Sequence, residues 1–200
     1  MKIRILAIMA VLLAGAGFSR ANIIGNTLAD DGDGVLTCAT YGFLTNSPGN
    51  YQLGIYGDQN IWGPGHIVGD ILTDGNDPTL ALYQSIENDT GTAWGDYHVQ
   101  VTMNHSFTFS SIGVANSGWT FTSTVPTLIG SDWIGNIDYY AGTPVPADNV
   151  STLDFNYSVT FTGSVSFNEQ LTPSAVPEPG TFALMICGLA GLLVMRRRSA

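Results

Sequence analysis

Between positions 22 and 195 the chain has no lysine and no arginine. Its six basic side chains, Lys2, Arg4, Arg20, Arg196, Arg197 and Arg198, all lie outside that window, and all 16 acidic residues lie inside it. The central region therefore makes no Lys or Arg salt bridge. Its stability has to come from apolar burial and neutral hydrogen bonds. It also cannot neutralise phosphates, which excludes ordinary nucleic-acid binding, and anionic membrane surfaces repel it. Neutral sugars, cations and basic proteins remain as partners, and a bare carboxylate surface invites divalent ions.

Cysteine is nearly absent. Cys187 sits in a terminal apolar stretch, so Cys38 stands alone and is expected to be buried as a small hydrophobe. No Cys or His spacing suits zinc. The three histidines are His66, His98 and His105. If residues 97–109 form one regular strand, the odd spacing of His98 and His105 puts them on opposite faces, so they do not share a metal. There is no Gly-x-Ser-x-Gly elbow, no His-Glu-x-x-His and no phosphate loop. Any oxyanion stabilisation would rest on backbone or neutral donors. The chain reads as a non-enzyme. Paired carboxylates for glycoside cleavage are the one catalytic chemistry left open, because Asp is plentiful.

Helical periodicity is scarce, whereas Thr, Ser, Gly, Asn and aromatics abound, which points to β structure. Leu153, Phe155, Tyr157, Val159, Phe161, Val165 and Phe167 alternate with polar residues across residues 153–168. Only Gly163 interrupts that set, so a bend or bulge is expected there. Tyr97, Val99, Val101 and Met103 repeat the pattern, continuing into Phe107 and Phe109, and residues 119–125 repeat it again. Such half-buried strands predict an all-β, antiparallel β-sandwich of jelly-roll-like type. Size allows one domain with a real core, placed at residues 22–169, with residues 170–180 as a linker.

The termini carry a different signal. Lys2 and Arg4 precede an apolar stretch over residues 5–18, followed by Ser19-Arg20-Ala21. This is the pattern of a secretory signal peptide, residues 1–21, with cleavage after Ala21; Ala14-Gly15-Ala16 offers an earlier cut. At the other end stand Pro177-Glu178-Pro179, an apolar run over residues 182–195, then Arg196-Arg197-Arg198. The prolines keep the approach extended, and the arginines hold the far end on the cytoplasmic side. The 14-residue run is short against the roughly 20 that span a bilayer, which suits transient insertion of a sorting helix (residues 181–200). This tail resembles the PEP-CTERM sorting signal of exopolysaccharide-producing Gram-negative bacteria. The resemblance implies a membrane-embedded exosortase that cuts near Pro177-Glu178-Pro179, and a destination at the cell surface or in the matrix. An ordinary single-span anchor with a Pro-rich stalk is the plainer alternative.

Residues 85–99, Ser-Ile-Glu-Asn-Asp-Thr-Gly-Thr-Ala-Trp-Gly-Asp-Tyr-His-Val, resemble a segment that recurs in PEP-CTERM proteins. The residues read as a hairpin turned by Asn88, Asp89 and Gly91, with Trp94 capping an edge. Trp94, Asp96 and His98 are candidate ligand-binding residues, since aromatic faces stack on sugars and carboxylates accept hydroxyl hydrogen bonds. Their structural alternative is edge packing, turn-holding and solvent exposure.

Asp30, Asp31 and Asp33 are candidate calcium ligands, although the EF-hand register fails, with Ala29 and Thr40 where acidic residues belong. Asp70, Asp74 and Asp77 form a weaker second cluster, and a solvated acidic loop is the plainer reading of either. No other cofactor is implied. Asn88, Asn104, Asn149 and Asn156 each sit in Asn-x-Ser/Thr. The functional expectation is an exported surface or matrix protein associated with exopolysaccharide. A carbohydrate-binding module, calcium-dependent or not, is the alternative, then a matrix glycan hydrolase. The Thr-x-Thr pattern of Thr120, Thr122 and Thr124 is too short for the flat array that ice binding needs.

Overall fold

The computed structural model describes residues 22–176 with the exception of Pro48 and Asn76. The signal peptide over residues 1–21, Pro177-Glu178-Pro179, the apolar run and Arg196-Arg197-Arg198 lie outside the described residues. Within them the chain forms thirteen β-strands and no helix. An eight-stranded sheet contains β1 (Ile23–Asn26), β2 (Ala29–Asp30), β5 (Gly65–Thr73), β7 (Trp94–Met103), β9 (Thr120–Ser123), β10 (Thr127–Ile129), β11 (Asp132–Tyr140) and β13 (Val165–Ala175). Its order is β1-β5-β13-β7-β11-β10, with β2 also on β5 and β9 also on β11. A five-stranded sheet has the order β3-β4-β6-β12-β8, from β3 (Leu36–Ser47), β4 (Asn50–Gln59), β6 (Thr79–Asn88), β8 (Phe107–Val114) and β12 (Thr152–Phe161).

Alternation in the sequence becomes an inner and an outer face. On β12, Leu153, Phe155, Tyr157, Val159 and Phe161 are buried, and on β7 Tyr97, Val99, Val101 and Met103 are buried. The inner faces of the two sheets share one apolar cluster. Phe155 of β12 stands 5.8 Å, centroid to centroid, from Tyr97 of β7 and 5.0 Å from Tyr139 of β11. Each large side chain buried in this way stabilises the fold by about 1.5–3 kcal/mol.

The ladders are antiparallel with one exception: β4 and β6 pair in parallel over ten positions, from Asn50↔Thr79 to Gln59↔Asn88. The cause is the path of the chain. Between them, β5 crosses to the other sheet, so β6 returns in the direction of β4, as a parallel pair requires.

Several sequence expectations are corrected by this partition. The segment over residues 85–99 is not a hairpin, because β6 and β7 belong to different sheets and do not pair. Gly91 does adopt a left-handed φ of 76° at the turn. The run over residues 97–109 divides into β7 and β8, again in different sheets. Gly163, with φ of 73°, marks the expected bend where β12 passes into β13. Residues 119–125 are not a half-buried strand: Trp119 is buried, but β9 is exposed along its length. Residues 170–175, read as linker, continue β13, with Leu171 fully buried. Leu171 and Pro173 prolong the buried period-two pattern, and the proline, a residue depleted in strands, disguises it.

Candidate functional site

Of the residues nominated by sequence, Asp96 and His98 lie together on the outer face of the eight-stranded sheet, and Trp94 does not. Asp96 pairs with Ser174, but the next partner, Ala175, pairs with Trp94, so Gly95 is an extra residue in the ladder. This bulge reverses the alternation and turns Trp94 inward, where it is completely buried. Its indole N–H donates to Thr90 Oγ1 at 3.1 Å, and its ring lies 5.1 Å from that of Tyr97. A sealed indole offers no face to a sugar. Trp94 is a core residue.

His98 occupies the middle of a cross-strand triple. Nδ1–H donates to Asp138 Oδ1 at 2.7 Å, and Nε2 is hydrogen-bonded to the Ser174 hydroxyl at 3.0 Å. Asp138 is directly opposite His98 on β11, and Ser174 lies diagonally across on β13. The order Ser-His-Asp is that of nucleophilic hydrolases, but the surroundings oppose that chemistry. Ser174 lies within a paired strand, directly opposite the carboxylate of Asp96, where a developing oxyanion would meet like charge. The His98 and Asp138 side chains are each 45% exposed on an open face. The triple works as a polar clamp across three strands. Beside it, Gln100 donates to Asn136 Oδ1 at 3.0 Å.

The Asp-rich turn spends its carboxylates locally. Asp30 accepts from the backbone N–H of Gly32 and Cys38, Asp31 from that of Asp33, and Asp33 from that of Val35. Asp70 accepts from the Ser166 hydroxyl, Asp74 from Asn22 and Asp77 from the Thr162 hydroxyl. Among the described residues no three acidic, His or Cys side chains gather at metal-ligand spacing. Cys38 is half-buried against the core, and burial pushes its thiol up to about 11.

A further candidate surface is one that the sequence did not nominate. On the outer face of the five-stranded sheet, Tyr56 is 58% exposed and Tyr83 48%. Two depressions of about 200 and 400 Å³ meet at Tyr56 and Ser85. The cross-strand register sets out their floor in rows: Gly54, Tyr83 and Asn156; then Tyr56, Ser85 and Asp154; then Asp58, Glu87 and Thr152. Glycine stands directly opposite Tyr83 on β4, so the nearest bulky outward side chain on that strand is the diagonal Tyr56. The Ser85 hydroxyl donates to Asp154 Oδ1, and Asp154 N–H donates to Asn116 Oδ1 at 2.7 Å. Asn156 donates to the Ser111 carbonyl at 2.6 Å, which fixes its amide. The sequence did hold a signal: on β6 an amide, Gln84, takes the inward position while the aromatic Tyr83 points out.

Gln84 explains its inward turn. It donates to Oε1 of Glu169, a carboxyl buried completely between the sheets, which also accepts the Tyr157 hydroxyl at 2.8 Å. Burial raises the pKa of Glu169 to about 7, against the opposing pull of its two donors. Burial also pushes the Tyr97, Tyr139 and Tyr157 hydroxyls up, with the nearby Glu169 adding to it.

Comparison with known proteins yields no matching family model, no matching curated protein and no matching solved structure.

Proposed function

We propose that this chain is an exported surface or matrix protein whose two sheets form a jelly-roll-like β-sandwich that binds exopolysaccharide. The terminal segments support export: a signal-peptide pattern at residues 1–21 and the Pro-Glu-Pro, apolar run and arginine cluster of a PEP-CTERM-type tail, a substrate for an exosortase-type protease. The observation that carries the binding reading is the pair of exposed tyrosines, Tyr56 and Tyr83, diagonal to one another over a groove where Ser85, Asp154 and Asn156 stand beside the apolar Ala115 and Phe155. Tyrosine faces stack on the apolar faces of sugar rings, and Ser85, Asp154 and Asn156 offer partners for hydroxyls. Binding in this groove is proposed to be independent of calcium.

Co-sedimentation of the full chain with exopolysaccharide tests the proposal, with and without chelator. Binding that survives chelation and is lost in Tyr56→Ala/Tyr83→Ala supports it. Binding that the double variant retains moves the ligand elsewhere, and absence of binding by the folded wild type overturns it.

A further inference from the structure

Charge narrows the kind of glycan, on the footing of the glycan-binding reading above. Beyond Tyr56, the groove runs between Asp58 and Glu87, which stand directly opposite each other on parallel neighbours β4 and β6. Like charges in direct cross-strand register destabilise a sheet. Desolvation raises the pKa of Glu87, and the carboxylates of Asp89, Asp58 and Asp148 add to it. No lysine or arginine exists between positions 22 and 195 to offset this repulsion. The middle row adds Asp154, which faces Ser85. Carboxylates thus flank both tyrosines, and a positive charge in the groove has to arrive with the ligand.

The rows also set a direction. Tyr83, Tyr56 and the Asp58–Glu87 pair follow one another along the strand axis, two residues apart in register, or about 6.6 Å per step. A linear chain laid along β4 and β6 meets both aromatic faces and then the carboxylate pair.

We propose that the groove takes a linear glycan bearing free amino groups, with sugar rings on Tyr83 and Tyr56 and an ammonium group between Asp58 and Glu87. Ammonium N–H groups make charge-assisted hydrogen bonds to both carboxylates and relieve their mutual repulsion. A neutral chain keeps only the stacking and hydroxyl contacts. A polyuronate is repelled.

The test compares two probes on the full-length chain in non-ionic detergent, by titration calorimetry: a β-1,4-linked glucosamine hexasaccharide and its fully N-acetylated counterpart. The amino form is expected to bind at least about tenfold more tightly. Asp58→Asn/Glu87→Gln is expected to abolish that preference, while Asp31→Asn/Asp33→Asn, with equal charge loss on a distant turn, preserves it. Melting temperatures of both variants confirm that they are folded. Equal binding of the two probes overturns the amino-glycan assignment and leaves glycan binding standing. A preference lost equally in the distant variant overturns the site in favour of diffuse charge. Failure of both probes, with exopolysaccharide still bound, sinks this proposal alone. Failure of all three ligands sinks the glycan reading with it.

Discussion

Glu169 of β13 and Tyr157 of β12 meet between the sheets, with the tyrosine hydroxyl 2.8 Å from a carboxyl oxygen that has no access to solvent. The carboxyl keeps its proton to higher pH in the fold, about 7 against an ordinary 4.5. The folded state then binds more protons than the unfolded state between those two values, so stability falls as pH rises through that window. It is full below the ordinary value and levels off once Glu169 has ionised. The loss is on the order of 3 kcal/mol. Melting curves between pH 4.5 and 8 are expected to show this decline in the wild type and a much flatter profile in Glu169→Gln.

Trp94 fills the core behind the Gly95 bulge. Trp94→Ala is expected to cost about 3–5 kcal/mol through the cavity it leaves, read as a drop in the denaturation midpoint. Trp94→Phe keeps most of the volume and, if the proposed glycan binding is correct, is expected to retain it at wild-type strength. A Trp94→Phe variant that stays folded but loses binding would return the indole to the ligand site.

Gly69 has a φ of 155°, and a Cβ there would lie 2.6 Å from the Thr27 carbonyl oxygen. Backbone cannot swing aside as a side-chain tip can. Gly69→Ala is expected to destabilise by about 3 kcal/mol or more, measured by chemical denaturation. Gly32, also left-handed but with nothing within 4 Å of its Cβ position, is expected to cost only about 1 kcal/mol on the same change.

The Asp30–Asp33 turn holds itself together through side chain-to-backbone hydrogen bonds. Asn accepts the same bonds, so Asp31→Asn and Asp33→Asn are expected to change stability by less than about 0.5 kcal/mol. Because these carboxylates are already engaged, adding calcium or a chelator is expected to leave the melting temperature unmoved. A rise of several degrees with calcium would show a site that these residues form on binding.

The all-β class was legible because Leu153 to Phe167 alternate with polar residues, and Gly163, the one interruption, announced its own bend. What stayed hidden was non-local. Nothing in residues 85–109 says that the chain changes sheets twice, since pairing partners lie far away in sequence. Trp94 was misplaced because a single extra residue, Gly95, inverts the face on which it falls. Tyr56 and Tyr83 were passed over because an aromatic in a strand is ordinarily a core residue. Their outward placement follows from register, and for β6 from the burial of Gln84 against Glu169.

The last described strand lies in the interior of its sheet. β13 is bonded to β5 along residues 165–171 and to β7 along residues 167–175, and the chain leaves from its Ala175 end. Interstrand hydrogen bonds lie across the strand direction, so tension entering through that end shears both ladders at once instead of opening them one bond at a time. A strand on the rim would peel. This one distributes the load over two neighbours, which makes the domain a stiff handle for whatever pulls on the residues that follow.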